Sequence, residues 1–183
     1  KADKITPAMA PHDMKPSPAL SLLKKANPTL QGRKIGVLVS DGIDGAIVDQ
    51  LRKTVEKAGA KLMVIAPKIG GVKTKQGHLA ADHALSAGPS ILFDAVVLCL
   101  SEAGAKQLAN EAGAKDWLAN AFNHLKIIGF TREAMPLFKA ANVDAAADEG
   151  MVGFDGKSGI DGFINTAKQQ RIWAREPKLR SPG

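Results

Sequence analysis

The sequence predicts an α/β fold in three layers, a doubly wound parallel sheet with helices packed on both faces. Three observations predict it. Four short runs, at 34–39, 61–66, 94–99 and 126–130, are almost unbroken in apolar residues. That is the pattern of strands covered on both faces, where half-exposed strands would alternate. The segments between them carry apolar residues at helical spacing. Strands that alternate with helices connect through right-handed crossovers, so the sheet is expected to be parallel.

Five prolines (Pro7, Pro11, Pro16, Pro18, Pro28) fall in the first 28 residues, where they deny amide donors to any ladder and favour extended backbone. Residues 1–32 are therefore expected to be a Pro-rich, basic linker or arm. Within it Ala19-Leu20-Ser21-Leu22-Leu23 has the makings of one helical turn that needs a partner surface, ended by Asn27-Pro28. The domain is expected over 33–174, beginning with Lys34-Ile35-Gly36-Val37-Leu38-Val39. After the turn at Ser40-Asp41-Gly42, apolar residues Ile47, Val48, Leu51, Val55 and Ala58 recur at helical spacing, and Gly59 is placed to end the helix. The second strand closes at Pro67. Val72-Lys73-Thr74 and His78-Leu79 flank Gln76-Gly77 as a small hairpin, followed by a turn of helix near 82–87. Helices are expected at 102–110, 114–124, 133–141 and 160–173, with a basic tail over 175–183.

A chain of 183 residues with 45% hydrophobic residues has room for one ordinary core. No apolar run approaches the roughly 20 residues of a membrane span, and no membrane partner is expected. Cys99 is the only cysteine, so no intramolecular disulfide forms and a soluble, cytoplasmic setting is expected. The opening Lys1-Ala2-Asp3 has no signal-peptide pattern and suggests a fragment or processed product. The net charge of +7 is unevenly placed: residues 1–34 carry +5, residues 168–183 carry +4, and the body between carries −2. With 4% aromatic residues that do not interleave with the basic ones, a base-stacking surface is not expected, nor is nucleic acid as a partner.

Ligands of such sheets bind beyond the C-terminal ends of the strands near the switch in strand order. The first loop there, Ser40-Asp41-Gly42-Ile43-Asp44-Gly45, lacks GxGxxG spacing and sets two carboxylates where a pyrophosphate would sit. Asp41 and Asp44 are expected to cap the helix instead. In the third loop Cys99 continues an apolar strand and is expected to be a small core residue rather than an elbow nucleophile. In the fourth, Thr131 and Arg132 occupy the elbow where a nucleophile belongs, but no histidine is near in sequence. Thr131 is expected as an N-cap, with Glu133 in the first turn. His12, His78, His83 and His124 show no metal-ligand spacing, and no metal or other cofactor is expected in this chain.

The body from about Lys34 to Val143 resembles the class I glutamine amidotransferase-like superfamily, flavodoxin-like in fold, which includes intracellular proteases, stress chaperones and deglycases. The resemblance implies an elbow cysteine at Thr131 or Arg132, in Lys126-Ile-Ile-Gly-Phe-Thr-Arg-Glu, and an acidic partner near Ala46 or Ile47. Neither residue type stands there, so the superfamily's hydrolytic chemistry is not expected. Four stretches resemble, in order, the C-terminal domain of large-subunit heme catalases: Arg33-Lys-Ile-Gly-Val-Leu-Val-Ser-Asp-Gly, Gly88-Pro-Ser to Asp94-Ala-Val-Val, His124-Leu-Lys-Ile-Ile and Arg171-Ile-Trp-Ala-Arg-Glu-Pro-Lys. The arm is similar to their connection from the heme domain. The resemblance implies a non-catalytic domain that stabilises subunit and oligomer, with the catalase core and neighbouring subunits as partners and heme only in the parent. Those enzymes bind heme iron through a tyrosine, and this sequence has none. Leu20, Leu22, Leu23, Arg171, Trp173 and Arg175 are the expected partner contacts. The alternatives are a holdase acting on unfolded clients, and residual hydrolysis through Cys99 or Thr131.

Overall fold

The computed structural model describes residues 8–10, 12, 14–21 and 24–180. Its centre is a six-stranded sheet in the order β5 (His83–Ala84), β2 (Lys61–Ala66), β1 (Lys34–Val39), β6 (Ala95–Cys99), β7 (Ile128–Thr131), β8 (Met151–Phe154), every pairing parallel. The first two strands, β1 (Lys34–Val39) and β2 (Lys61–Ala66), lie at the expected positions. The next, β6 (Ala95–Cys99) and β7 (Ile128–Thr131), sit within one or two residues of theirs. All four are buried on both faces as their unbroken apolar runs require. The expected hairpin forms from β3 (Val72–Thr74) and β4 (Gly77–Leu79), which make a separate two-stranded sheet.

Helix α1 (Gly45–Lys57) turns Val48, Leu51 and Val55 into the core. Gly59 ends it in the left-handed region, φ +81, a conformation open to glycine without strain. With α5 (Ile160–Ala167) it covers one face of the sheet, over Val37, Val64 and Val97. On the other face α2 (Glu102–Leu108), α3 (Ala112–Asn123) and α4 (Met135–Ala140) cover Leu38, Val96 and Leu98. Crossovers on opposite faces put the switch in strand order between β1 and β6. No helix among the described residues is long and apolar enough to cross a membrane.

Five expectations are corrected. The segment near 82–87 begins as an edge strand, β5 (His83–Ala84), paired with Ile65 and Ala66. Asp82 draws it there by accepting a 2.7 Å hydrogen bond from the Val64 amide, and the turn comes only afterwards, with Ala87 and Gly88 N–H bonded to Ala84 O. A sixth strand, β8 (Met151–Phe154), pairs with β7 and was not expected. The helix expected over 160–173 stops at Ala167, and Gln170 takes φ +69. The chain then runs through buried Ile172 into a 3₁₀ turn, Trp173–Arg175, and α6 (Glu176–Arg180), so a helix stands where a tail was expected. Finally, Leu30 is 1% exposed and part of the core, so packing against the body begins inside the segment expected to be arm.

Candidate functional site

The loops after β1, β6 and β7 converge beyond the C-terminal ends of the strands, at the switch point. Ser101 is the knot. Its amide donates to Ser40 Oγ (3.0 Å) and its hydroxyl to Asp41 O (2.5 Å), while Gly104 N–H donates to Ser101 Oγ (3.0 Å). Those bonds cap α2 and join it to the loop after β1. The resulting open cleft is about 360 Å³ and lined in part by Asp44, Lys75, Glu102, Thr131, Glu133 and Asp155. Four carboxylates against one lysine make it a poor seat for a phosphate.

The amides that would bind an anion at the start of α1 are already used. Asp44 caps the helix, accepting from Ala46 N–H at 3.0 Å, and Gln76 Oε1 accepts from Gly45 N–H at 2.7 Å. Asp41, expected to share that role, instead accepts from Lys73 N–H (2.7 Å) and holds the β3–β4 hairpin. Glu102 is engaged by Lys106 one turn on (2.7 Å), which holds its carboxyl below the usual carboxylate range.

The elbow position has no free nucleophile. Thr131 is buried, and its hydroxyl lies 3.3 Å from both Leu100 N, which donates to it, and Leu100 O, which accepts from it. It thus locks β7 to the end of β6 and makes no side-chain cap, contrary to expectation. Arg132 opens the 3₁₀ turn at Arg132–Ala134 beside it. Ala46 and Ile47 occupy the first turn of α1, Ala46 through its backbone amide and Ile47 packed against the core. Cys99 is buried as expected, and burial, reinforced by the charges of Glu133 and Asp44, pushes its thiol up to about 12. At neutral pH it is an un-ionised thiol. No histidine lines the cleft. His78 Nε2 lies 2.7 Å from Gly70 O, His83 leans on Phe93, and His124 ends α3. Among the described residues no three His, Cys, Asp or Glu are placed to hold a metal ion.

The expected partner contacts divide. Leu22 and Leu23 lie outside the described residues; Leu20 is 82% exposed and Trp173 50%. Arg171 is half-buried and donates to Asp94 O (3.0 Å) and Gln170 O (2.7 Å). Arg175 is a correction: it is 1% exposed, clamped by both oxygens of Asp148 at 2.7 Å, with its guanidinium 4.2 Å over the Phe122 ring. A guanidinium so committed is unavailable to a partner. Asp155 and Lys75 complete the cleft and were missed, Asp155 because the strand before it was missed, Lys75 because only the hairpin folds it over α1.

Residues 31–177 match a family described as the C-terminal domain found in long catalases. The chain is 40% identical to catalase C of Rhizobium meliloti (strain 1021) over 92% of its own length and 24% of that protein's. It is 33% identical to catalase HPII of Pseudomonas putida, covering 87% of this chain and 22% of that one. With catalase-B of Dictyostelium discoideum the identity is 29%, over 91% and 24%. The chain therefore spans about a quarter of the length of these curated relatives. Its parallel sheet flanked by helices is consistent with a flavodoxin-like fold, and the chain belongs to the family of C-terminal domains of long catalases.

Proposed function

We propose that this chain is the non-catalytic C-terminal domain of a heme catalase, and that it stabilises the subunit and its oligomer by packing against the catalytic core while the parent enzyme disproportionates hydrogen peroxide. The observation that carries the reading is the elbow. Its hydroxyl is consumed by the Leu100 backbone, the adjacent thiol is held at about 12, and no histidine is within the cleft to serve as a base. These features argue equally against residual hydrolysis through Thr131 or Cys99.

Heme does not fit this chain. Tyrosine, the axial ligand of heme catalases, is absent from the sequence, and no histidine lines the cleft. The test is the unfolding midpoint and oligomeric state of the parent enzyme with and without the domain. A lower midpoint or a smaller oligomer on deletion is expected; identical values for both would overturn the reading.

The exposed apolar side chains Ile91, Leu92 and Trp173 favour a second reading, in which the separated domain holds unfolded clients. Light scattering of a heat-denatured client decides it. Suppression at equimolar domain supports it, and none at several-fold excess removes it.

A further inference from the structure

Two basic segments far apart in sequence meet at one end of the fold. Gln170 Nε2 donates to Asn27 O at 2.9 Å, joining the incoming arm to the end of the chain. Asp94 lies between them: its carboxylate takes Arg33 Nη1 at 2.9 Å and the Lys34 amide at 3.0 Å, and its carbonyl takes Arg171 Nη1. Lys34 stands beside exposed Lys61 in the β1–β2 register. All these residues sit at the N-terminal ends of the strands, away from the acidic cleft.

The same end carries the exposed apolar surface. Among the described residues of the body, six large apolar side chains are exposed: Ile69, Ile91, Leu92, Met135, Trp173 and Leu179. Ile69 and Met135 lie at the opposite end, each after a different strand. The other four flank the entry to β7. Buried Lys126 donates its ammonium to Ser90 O and Phe93 O, fixing the 3₁₀ turn that bears Ile91 and Leu92. Leu125 O accepts from Ile172 N–H and Lys126 O from Arg175 Nη1, fixing the turn that bears Trp173. Leu179 lines a groove with Asn123, Leu125 and Glu176.

We propose that this N-terminal end of the sheet is the docking face for the catalytic core that precedes the domain in a long catalase. The complementary surface on the core is an apolar patch rimmed by carboxylates. The proposal rests on the accessory-domain reading above. Three features select that occupant. The arm enters the fold at this end, so the preceding chain is tethered there at high effective concentration. About three quarters of the length of the relatives lies outside the match, and the matched family is a C-terminal one. A two-fold contact with a second copy through this face would bring Lys34 and Lys61 near their own kind, whereas a carboxylate rim matches them; Arg33 is already balanced by Asp94.

The experiment compares I91S/L92S, K34E/K61E and, at the opposite end, I69S/M135S, each made both in the 183-residue chain and in the long catalase that carries it. The melting midpoint of the chain alone reports any damage to its own fold. The rate at which protease frees the domain from the parent reports docking. I91S/L92S should speed release about tenfold or more, since buried apolar anchors carry most interface energy, and K34E/K61E should speed it because reversed charges then face a carboxylate rim. I69S/M135S should leave it within about twofold. If I91S/L92S lowers the chain's own midpoint, K34E/K61E decides, because those ammonium groups are exposed. Faster release only for I69S/M135S overturns the proposed face. So does unchanged release for all three in a parent that deletion of the domain destabilises, and there the accessory role survives. Variants that abolish self-association of the chain without changing release assign the face to a second copy and overturn the proposal. If neither deletion nor any variant has an effect, both readings fall.

Discussion

Among the described residues Arg175 and Lys126 are the two largest fully buried side chains, and they solve the problem of a buried cation differently. Arg175 has a carboxylate: Asp148 takes it with both oxygens, and the hydrogen bond holds that carboxyl below its usual value of 3.8. Because the folded value is the lower one, the stability it contributes is complete above 3.8 and is lost as pH falls through the folded value. R175M should cost about 3–5 kcal/mol by leaving Asp148 without its partner. Its acid unfolding should also lack that component, read by circular dichroism from pH 6 downward. Lys126 has only carbonyls, and burial, helped by Arg171, lowers its ammonium from 10.5 to about 8. Between those values the unfolded chain binds more protons than the folded one, so stability rises with pH there. The stability of the native chain relative to K126M should therefore climb from about pH 8 to 10.5; chemical denaturation at three pH values would reveal a flat difference if the reading is wrong.

Among the elements, α2 shows packing overruling propensity. Gly104 is inside the helix, where alanine is intrinsically better by about 1 kcal/mol. A Cβ there would lie 2.1 Å from Ser40 Oγ and 2.3 Å from Ser40 Cβ. G104A is expected to destabilise by about 1–3 kcal/mol, because overpacking outweighs the propensity gain. A raised melting midpoint would contradict it. The strands differ in how readable they are for a related reason. A strand buried on both faces announces itself as an apolar run, as β1, β2, β6 and β7 do. The two edge strands do not: β5 has two residues, and β8, Met-Val-Gly-Phe, is half-exposed and broken by glycine. Their place comes from hydrogen bonds to a neighbour, which leave no pattern in the strand itself. The site follows the same rule. That Cys99 is core and that Asp44 caps α1 were legible from an apolar run and a helix start. Thr131 locking onto Leu100 was not, since its partner is 31 residues away.

On the scale of the whole molecule, the arm and the body are energetically distinct. Residue Leu30 is sealed in the core and Leu20 is exposed. Deleting residues 1–26 should leave the melting midpoint of the chain within about 2 °C, whereas L30A should cost about 2–5 kcal/mol. Equal effects from both would show that the boundary of the packed body is misplaced. From composition and pattern alone came the class of fold, the four central strands and the helices between them. Each of these is a property of residues close together in the chain, where burial on two faces or on one stripe writes itself as periodicity. The sequence also contained two basic ends, but as two tails. That they form one charged and apolar face at the N-terminal edge of the sheet, and that Arg175 leaves that surface for Asp148, depended on contacts such as Gln170 to Asn27 across 143 residues. Such contacts exist only once the crossovers have closed, because a parallel sheet gathers at one end residues that the chain keeps far apart.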